Sequence, residues 1–231
     1  MTVVKTGGHR TTATSPRAEV KSALVRLIPA AVIVLAVMCG LGYLLTHPLR
    51  DTAFEGWDGS VNRFLARHRQ EPWTTLTHLL TFAAETYTVL SIGLVFFVGM
   101  RVHLRRWRES CFLLAAVAGE VLIFVGTTLV IDRPRPSVPH LDGAPPTSSF
   151  PSGHTAAACT LYGALTLIAL SASTRAWLRT LAVVVGILVP ISVAMARLYR
   201  GMHYPTDVLG GALLAVIWLA VTFTVIERRR R

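Results

Sequence analysis

Two histidines, several arginines and one aspartate are spaced along the C-terminal half of the chain in a way that suits work on a phosphate: Arg133 and Arg135, then Ser152-Gly153-His154, then Arg197, Arg200, His203 and Asp207. Arginine offers a planar, permanently charged fork that fits phosphoryl oxygens in pairs. Histidine titrates near neutrality, so it can exchange a proton with a bound group or attack phosphorus through a ring nitrogen. Ser152 stands where a polar, proline-broken loop turns into an apolar run. There it can cap a helix whose first-turn N–H groups, backed by the helix dipole, favour an anion. Gly153 lets that anion approach the backbone. Asp207 follows His203 by one helical turn and suits the second ring nitrogen of a nucleophilic histidine. Phosphoryl transfer depends mainly on positioning and charge stabilisation, and these residue types supply both.

The elements that must gather these residues are legible in the hydropathy. With 231 residues, 52% hydrophobic and only 15% charged, and a mean hydropathy of +0.53, the chain is too apolar for a soluble domain of this size and reads as an integral membrane protein. Apolar runs over about 27–45, 76–100, 111–131, 154–172, 178–198 and 206–226 are each long enough to cross a bilayer at ~1.5 Å per residue. After the first, Phe54, Trp57, Val61, Phe64 and Leu65 recur at helical spacing, predicting an amphipathic helix at the interface. The expected fold class is all-α, a six-transmembrane-helix bundle with an amphipathic interfacial helix between spans 1 and 2. Residues 1–26 are polar and basic and read as a disordered cytoplasmic tail, which leaves 27–231 as one domain.

Six spans put both termini on one side. Most of the 23 Lys and Arg lie in the tail, in the second and fourth connecting loops and at the C-terminus, so the positive-inside rule makes both termini cytoplasmic and turns the loops carrying Arg135, Ser152 and His203 outward. The fourth and fifth spans form a hairpin, which returns the chain to the face it left and brings His154, Arg197, His203 and Asp207 to one end. The net charge of +11 therefore reads as topology, and with no basic-aromatic stretch nucleic acid is not an expected partner. Cys39, Cys111 and Cys159 fall far apart inside apolar segments and form neither a disulfide framework nor a metal spacing.

The segments Arg133-Pro134-Arg135-Pro136 and Pro151-Ser152-Gly153-His154, followed by Arg197 with His203 and Asp207, resemble the three-part signature of the type 2 phosphatidic acid phosphatase superfamily. The six-span layout is similar to that family's membrane branch of lipid and undecaprenyl pyrophosphate phosphatases. The resemblance implies a metal-independent phosphatase without a cofactor, in which Arg135, Ser152, Gly153 and Arg197 hold the phosphate. It further implies that His203 attacks to form a phosphohistidine, that Asp207 orients it, and that His154 is the acid/base; the choice of His203 as the attacking group leans on the family. Undecaprenyl pyrophosphate, phosphatidic acid and phosphatidylglycerol phosphate are the expected substrate types, and the bilayer is the expected partner. Two positions depart from the pattern: Thr128 stands where the first motif usually has lysine, and Ala196 where the third usually has serine. Losing the lysine removes one charge-assisted hydrogen bond, worth on the order of 1.5–3 kcal/mol, for which Arg133 and Arg200 are the candidate replacements.

Rival readings are a phosphotransferase on the same fold and a catalytically weakened lipid-binding or scaffold protein, the latter motivated by Thr128 and Ala196. A zinc site on His154, His203 and Asp207 is disfavoured, because the surrounding arginines would repel the cation. Glu120 falls mid-span, where a carboxyl group is costly; it is read as structural, since about 22 Å of helix would separate it from Arg135. Glu85 is read as interfacial.

Overall fold

The computed structural model describes residues 16–144 and 146–226; the expected tail falls largely on residues 1–15, outside the described residues. Eight helices follow one another, with no strand among the described residues: α1 (Pro16–Thr46), α2 (Ala53–Arg67), α3 (Trp73–Thr81), α4 (Thr86–Val98), α5 (Trp107–Val130), α6 (Gly153–Ala172), α7 (Ala176–Tyr199) and α8 (Pro205–Ile226). The first helix starts at Pro16, well before the apolar run, so part of the expected tail is helical. Among the described residues six helices are long and apolar enough to cross a membrane: Val25–Thr46 of α1, Thr86–His103 (α4 with a closing π turn), α5, α6, α7 and α8.

The second span differs from expectation. The apolar run over 76–100 is not one helix: α3 ends at Thr81, a 3₁₀ turn covers Phe82–Ala84, and Glu85 is extended (φ −61°, ψ 144°) before α4 begins. Hydropathy registers composition over a window and is blind to a single extended residue inside it.

Helix α6 is the hub, packed against α5, α7 and α8, with α1 closing the bundle against α5 and α8. Its contacts are those of helices meeting in lipid, where small residues and side-chain hydrogen bonds bring backbones together. The Thr166 hydroxyl donates across the interface to the Ala182 carbonyl at 2.7 Å. The Trp218 indole of α8 donates to the Ala116 carbonyl of α5 at 3.0 Å, lying flat where Gly119 leaves no side chain. Leu122, Leu129, Val184, Ile187, Ile191, Leu209 and Val216 stay exposed on the outside, as a lipid-facing surface requires.

Helix α2 lies between spans 1 and 2 as expected, but its polar side is the buried one. Asp58 and Asn62, one turn apart, are fully enclosed, while Phe54, Trp57 and Phe64 face outward. Helix α3 repeats the pattern, burying Thr77 and Thr81 and exposing Trp73, Leu76 and Leu79. This end of the bundle therefore has a polar interior under an apolar skin.

Candidate active site

Helix α7 ends in a way that fixes His203. Arg200 is its C-cap, Gly201 takes φ +74°, and the amides of Gly201 and Met202 donate to the carbonyls of Leu198 (3.0 Å) and Arg197 (3.1 Å). This is a Schellman motif, which needs a residue tolerant of positive φ at Gly201. The reversal buries Met202 and turns His203 inward, where the Asn62 amide donates to its carbonyl at 2.9 Å.

The loop before α6 meets it from the other side. The Ser149 amide donates to the Arg133 carbonyl (2.8 Å) and the Ser152 amide to the Asp207 carbonyl (2.9 Å), so the loop is stitched to both flanking elements. His203 Nδ1 lies 2.8 Å from the Ser149 carbonyl oxygen. A carbonyl only accepts, so Nδ1 carries the proton and Nε2 keeps its lone pair. Burial holds the His203 pKa below the usual imidazole value, with Asp207 pulling the other way and Arg197 and Arg135 adding to the depression. The imidazole is therefore neutral at physiological pH.

The sequence expectation that Asp207 holds His203 directly is not met. Its Oδ2 is 3.8 Å from Nδ1, too far for a hydrogen bond, because that oxygen already accepts from the Ser149 hydroxyl and the Tyr204 amide. The contact runs through Ser149: Asp207 fixes the side chain whose backbone carbonyl orients the ring.

Arg135, Arg197 and His154 reach the site from three elements. Arg135 Nη1 donates to the Met202 carbonyl at 2.8 Å, and Arg197 Nη1 to Asp142 Oδ2 at 2.9 Å. The Nε atoms of both guanidinium groups and Nε2 of His154 are buried without a hydrogen-bond partner in the protein. A buried unsatisfied donor costs about 1–3 kcal/mol, and a negatively charged oxygen is the acceptor that two guanidinium groups favour. His154 lies within electrostatic range of Arg197, His203, Asp142 and Arg135.

Four further sequence expectations change. Ser152 occupies the N-cap position of α6 but makes no side-chain cap, since its buried Oγ accepts from the Thr155 hydroxyl at 3.0 Å. A Cβ on Gly153 would meet the Phe124 ring at 2.8 Å, so this glycine serves packing against α5. Arg133 is committed elsewhere: buried, it pairs with Asp58 (2.7 Å) and Asp207, donates to the Thr206 hydroxyl and lies over the Tyr204 ring. Arg200 is likewise occupied, by Asp142 (2.6 Å) and the carbonyls of Leu141 and Thr74. Neither replaces the missing lysine in this arrangement. Thr128 bonds back to the Val125 carbonyl of its own helix, and Ala196 is completely buried.

Four residues of this network go unnoticed in the sequence. Asp58 joins α2 to Arg133 and to the Thr206 amide and hydroxyl, and Asn62 and Ser149 hold the backbone and ring of His203. Asp142 bridges Arg197 and Arg200; burial pushes its carboxyl up, but the arginines prevail and leave it below the usual range. The one signal was the Asp58/Asn62 pair at helical spacing amid aromatics. Among the described residues no group of three or more His, Cys, Asp and Glu side chains is placed to hold a metal. Glu120 is buried in α5, away from these contacts.

Comparisons with known proteins agree with this architecture. An undecaprenyl-diphosphatase of Sulfolobus acidocaldarius is 31% identical over 168 residues, covering 71% of this chain and 68% of the relative. The crystal structure of a PAP2-type phosphatidylglycerolphosphate phosphatase from Bacillus subtilis superposes with a TM-score of 0.73 at 20% identity, covering 90% of this chain and 97% of the other. LpxE of Aquifex aeolicus superposes with a TM-score of 0.57, also at 20% identity, over 71% of this chain and 93% of its own. The family model of the PAP2 superfamily matches residues 109–231, more than half of the chain and all of the catalytic candidates, and the protein belongs to that superfamily.

Proposed function

We propose that the protein is an integral membrane phosphatase that hydrolyses a lipid phosphomonoester or pyrophosphate through a phosphohistidine, without a metal ion, at the extracytoplasmic face of the cell membrane. The observation that carries this reading is the pinned ring of His203, whose Nδ1–H is engaged by the Ser149 carbonyl so that Nε2 offers a lone pair, beside partnerless nitrogens on Arg135, Arg197 and His154. The two arginines bind the phosphoryl oxygens and balance the charge that spreads over them in the transition state. His203 Nε2 attacks phosphorus, the P–O bond to the lipid breaks, and His154 delivers its proton to the departing oxygen. His154 then takes a proton from water as that water attacks the phosphohistidine, the P–N bond breaks, and phosphate leaves with His203 restored.

The outward orientation is supported by the distribution of Lys and Arg. The names of the relatives point to undecaprenyl diphosphate and phosphatidylglycerol phosphate as substrates to try first, with phosphatidic acid beside them. The test is phosphate release from these lipids by the full chain in detergent with a chelator present. His203→Ala should abolish release and any acid-labile phosphoenzyme, and His154→Ala should slow turnover by roughly 10²–10⁴-fold. Activity surviving both substitutions sinks the mechanism, and loss of activity to the chelator sinks its metal independence.

A further inference from the structure

The break in the second span brings a carboxyl group to the leaving-group side of the site. Ala83 and Ala84 pack against Ala158, Tyr162, Val189 and Val193, and the Tyr162 hydroxyl donates to the Ala83 carbonyl at 2.9 Å. The 3₁₀ turn is thus anchored on α6 and α7, directly before Glu85. Glu85 departs from it in extended backbone, with its carbonyl accepting from the Val89 amide at 2.9 Å as α4 begins. Its Oε1 lies 3.9 Å from His154 Nε2, and its charge is felt at Arg197. No step of the reaction above uses it.

That distance is too long for a hydrogen bond, but an oxygen receiving a proton from His154 Nε2 necessarily sits close to Glu85. What is bonded to that oxygen then matters. In a phosphomonoester it is a carbon, and a neighbouring hydroxyl of a polyol headgroup can donate to the carboxylate. In a diphosphate it is a second phosphorus, whose two non-bridging oxygens keep their negative charge throughout the reaction and face the carboxylate. Arg135 and Arg197 are the cations that the proposed reaction commits to the phosphoryl group being transferred, and the other nearby cations do not offset the carboxylate. Arg200 and Arg133 are committed to Asp142 and to Asp58 with Asp207, Arg197 is shared with Asp142, and among the described residues no Lys or Arg forms an ion pair with Glu85. Asp142 adds a second carboxylate beside Arg197.

We propose that Glu85 is a specificity-determining residue that selects lipid phosphomonoesters over lipid diphosphates. The inference rests on the reading of the site as a lipid phosphatase. Its test uses a pair of substrates with one tail, farnesyl phosphate and farnesyl diphosphate, with the full chain in detergent micelles. The parent should favour the monophosphate in kcat/KM by at least about tenfold, a difference of about 1.4 kcal/mol. Glu85→Gln should shrink that ratio at least about fivefold by raising kcat/KM on the diphosphate, and Glu85→Lys should shrink it further. A parent that prefers the diphosphate, a ratio within twofold of the parent in both variants, or an equal loss on both substrates overturns the proposal. If the parent releases phosphate from neither substrate, nor from any other lipid phosphate, the phosphatase reading itself fails and takes the proposal with it.

Discussion

Asp58→Ala removes the carboxylate that ties α2 to the site. Asp58 and Arg133 are both buried, 2.7 Å apart. Asp58 Oδ1 also accepts from the Thr206 amide at 3.1 Å, so a residue of α2 satisfies a first-turn N–H of α8. The substitution leaves Arg133 Nη2 and the amide and hydroxyl of Thr206 without that acceptor, and each buried unsatisfied donor costs about 1–3 kcal/mol. Arg133 keeps Asp207, which sets the expected loss at the lower end, about 3 kcal/mol, or roughly 6–12 °C in unfolding temperature for a chain of this size. Asp58 bonds Arg133 and Thr206 and none of Arg135, Arg197 and His154, so its effect on the proposed catalysis passes through Arg133, Asp207 and Ser149 to the ring of His203. A misplacement of about 1 Å at a reacting group can cost ~10²-fold, so kcat should fall ten- to a hundredfold while KM changes less than about threefold. Asp58→Asn retains an acceptor for the Thr206 amide and should lose less stability. In the pair Asp58→Ala/Arg133→Met the two costs should fall short of their sum, because the Asp58–Arg133 interaction is removed by each single variant but can be lost only once. Thermal unfolding in detergent and steady-state kinetics on one lipid phosphate measure both effects. An unfolding temperature within about 1 °C of the parent, with kcat within twofold, would refute the proposed link between α2 and the nucleophile.

The depressed pKa of His203 places the acid limb of kcat/KM below the ordinary imidazole value of 6.5, since the attacking nitrogen stays unprotonated to lower pH; a limb at or above 6.5 contradicts the assignment. The same depression means that the unfolded chain binds the proton more readily, so the contribution of neutral His203 to stability is present above 6.5 and is lost as the pH falls. Gly211→Ala would place a Cβ 2.4 Å from the Ser152 carbonyl oxygen, a backbone atom that cannot swing aside, and should cost at least the ~1–3 kcal/mol of overpacking together with activity. Gly40→Ala, with nothing within 4 Å, should instead gain up to about 1 kcal/mol from helix propensity; unfolding temperatures of the two variants in the opposite order would refute the packing account. For orientation, in a background lacking Cys39, Cys111 and Cys159, Ala144→Cys on the exposed loop should react with an impermeant thiol reagent on cells whose outer layers admit it, and Arg105→Cys should not. Ser148, buried in the site loop, is a poor reporter. The reverse labelling pattern would overturn the positive-inside reading.

Most of the fold is legible because lipid leaves few options. Six apolar runs of spanning length can only be helices, and five of them begin and end within a few residues of the places their hydropathy predicts. The exception is the break at Glu85, whose charge marks an interfacial position but whose apolar flanks hide the end of one helix and the start of the next. Burial in the connecting segments also misleads. On α2 the aromatics declare a helix, but the side facing the protein carries Asp58 and Asn62, because the interior at this end is the polar site and the exterior is apolar. Spacing alone equally hides what separates Arg133 from Arg135, although the family resemblance implies only the second as a primary phosphate ligand. Arg133 and Arg135 are two residues apart in a proline-bounded segment without helix, and only the folded chain decides that the first turns back to Asp58 and Asp207 while the second reaches toward Met202.

That division between the two arginines bears on the charge balance behind the nucleophile. Asp58, Asp207 and Arg133 form a buried group with one net negative charge, which is costly to hold in a closed site. A neutral His203 does nothing to offset it. In the proposed reaction the imidazole becomes cationic once Nε2 has bonded phosphorus, because Nδ1 keeps the proton given to Ser149. The positive ring then offsets the charge of the group, against the cost of burial and the repulsion of Arg197 and Arg135. With Asp207 3.8 Å from Nδ1, the attraction gained is about 4 kcal/mol at an effective dielectric of ~20, and it is gained along the path to the intermediate and not in the resting enzyme. Binding that grows toward the transition state is the kind that raises kcat. On this account Asp207 needs no hydrogen bond to His203: its place just beyond hydrogen-bonding range, fixed by Ser149 and Arg133, lets it wait for a charge that exists only while phosphate is being transferred.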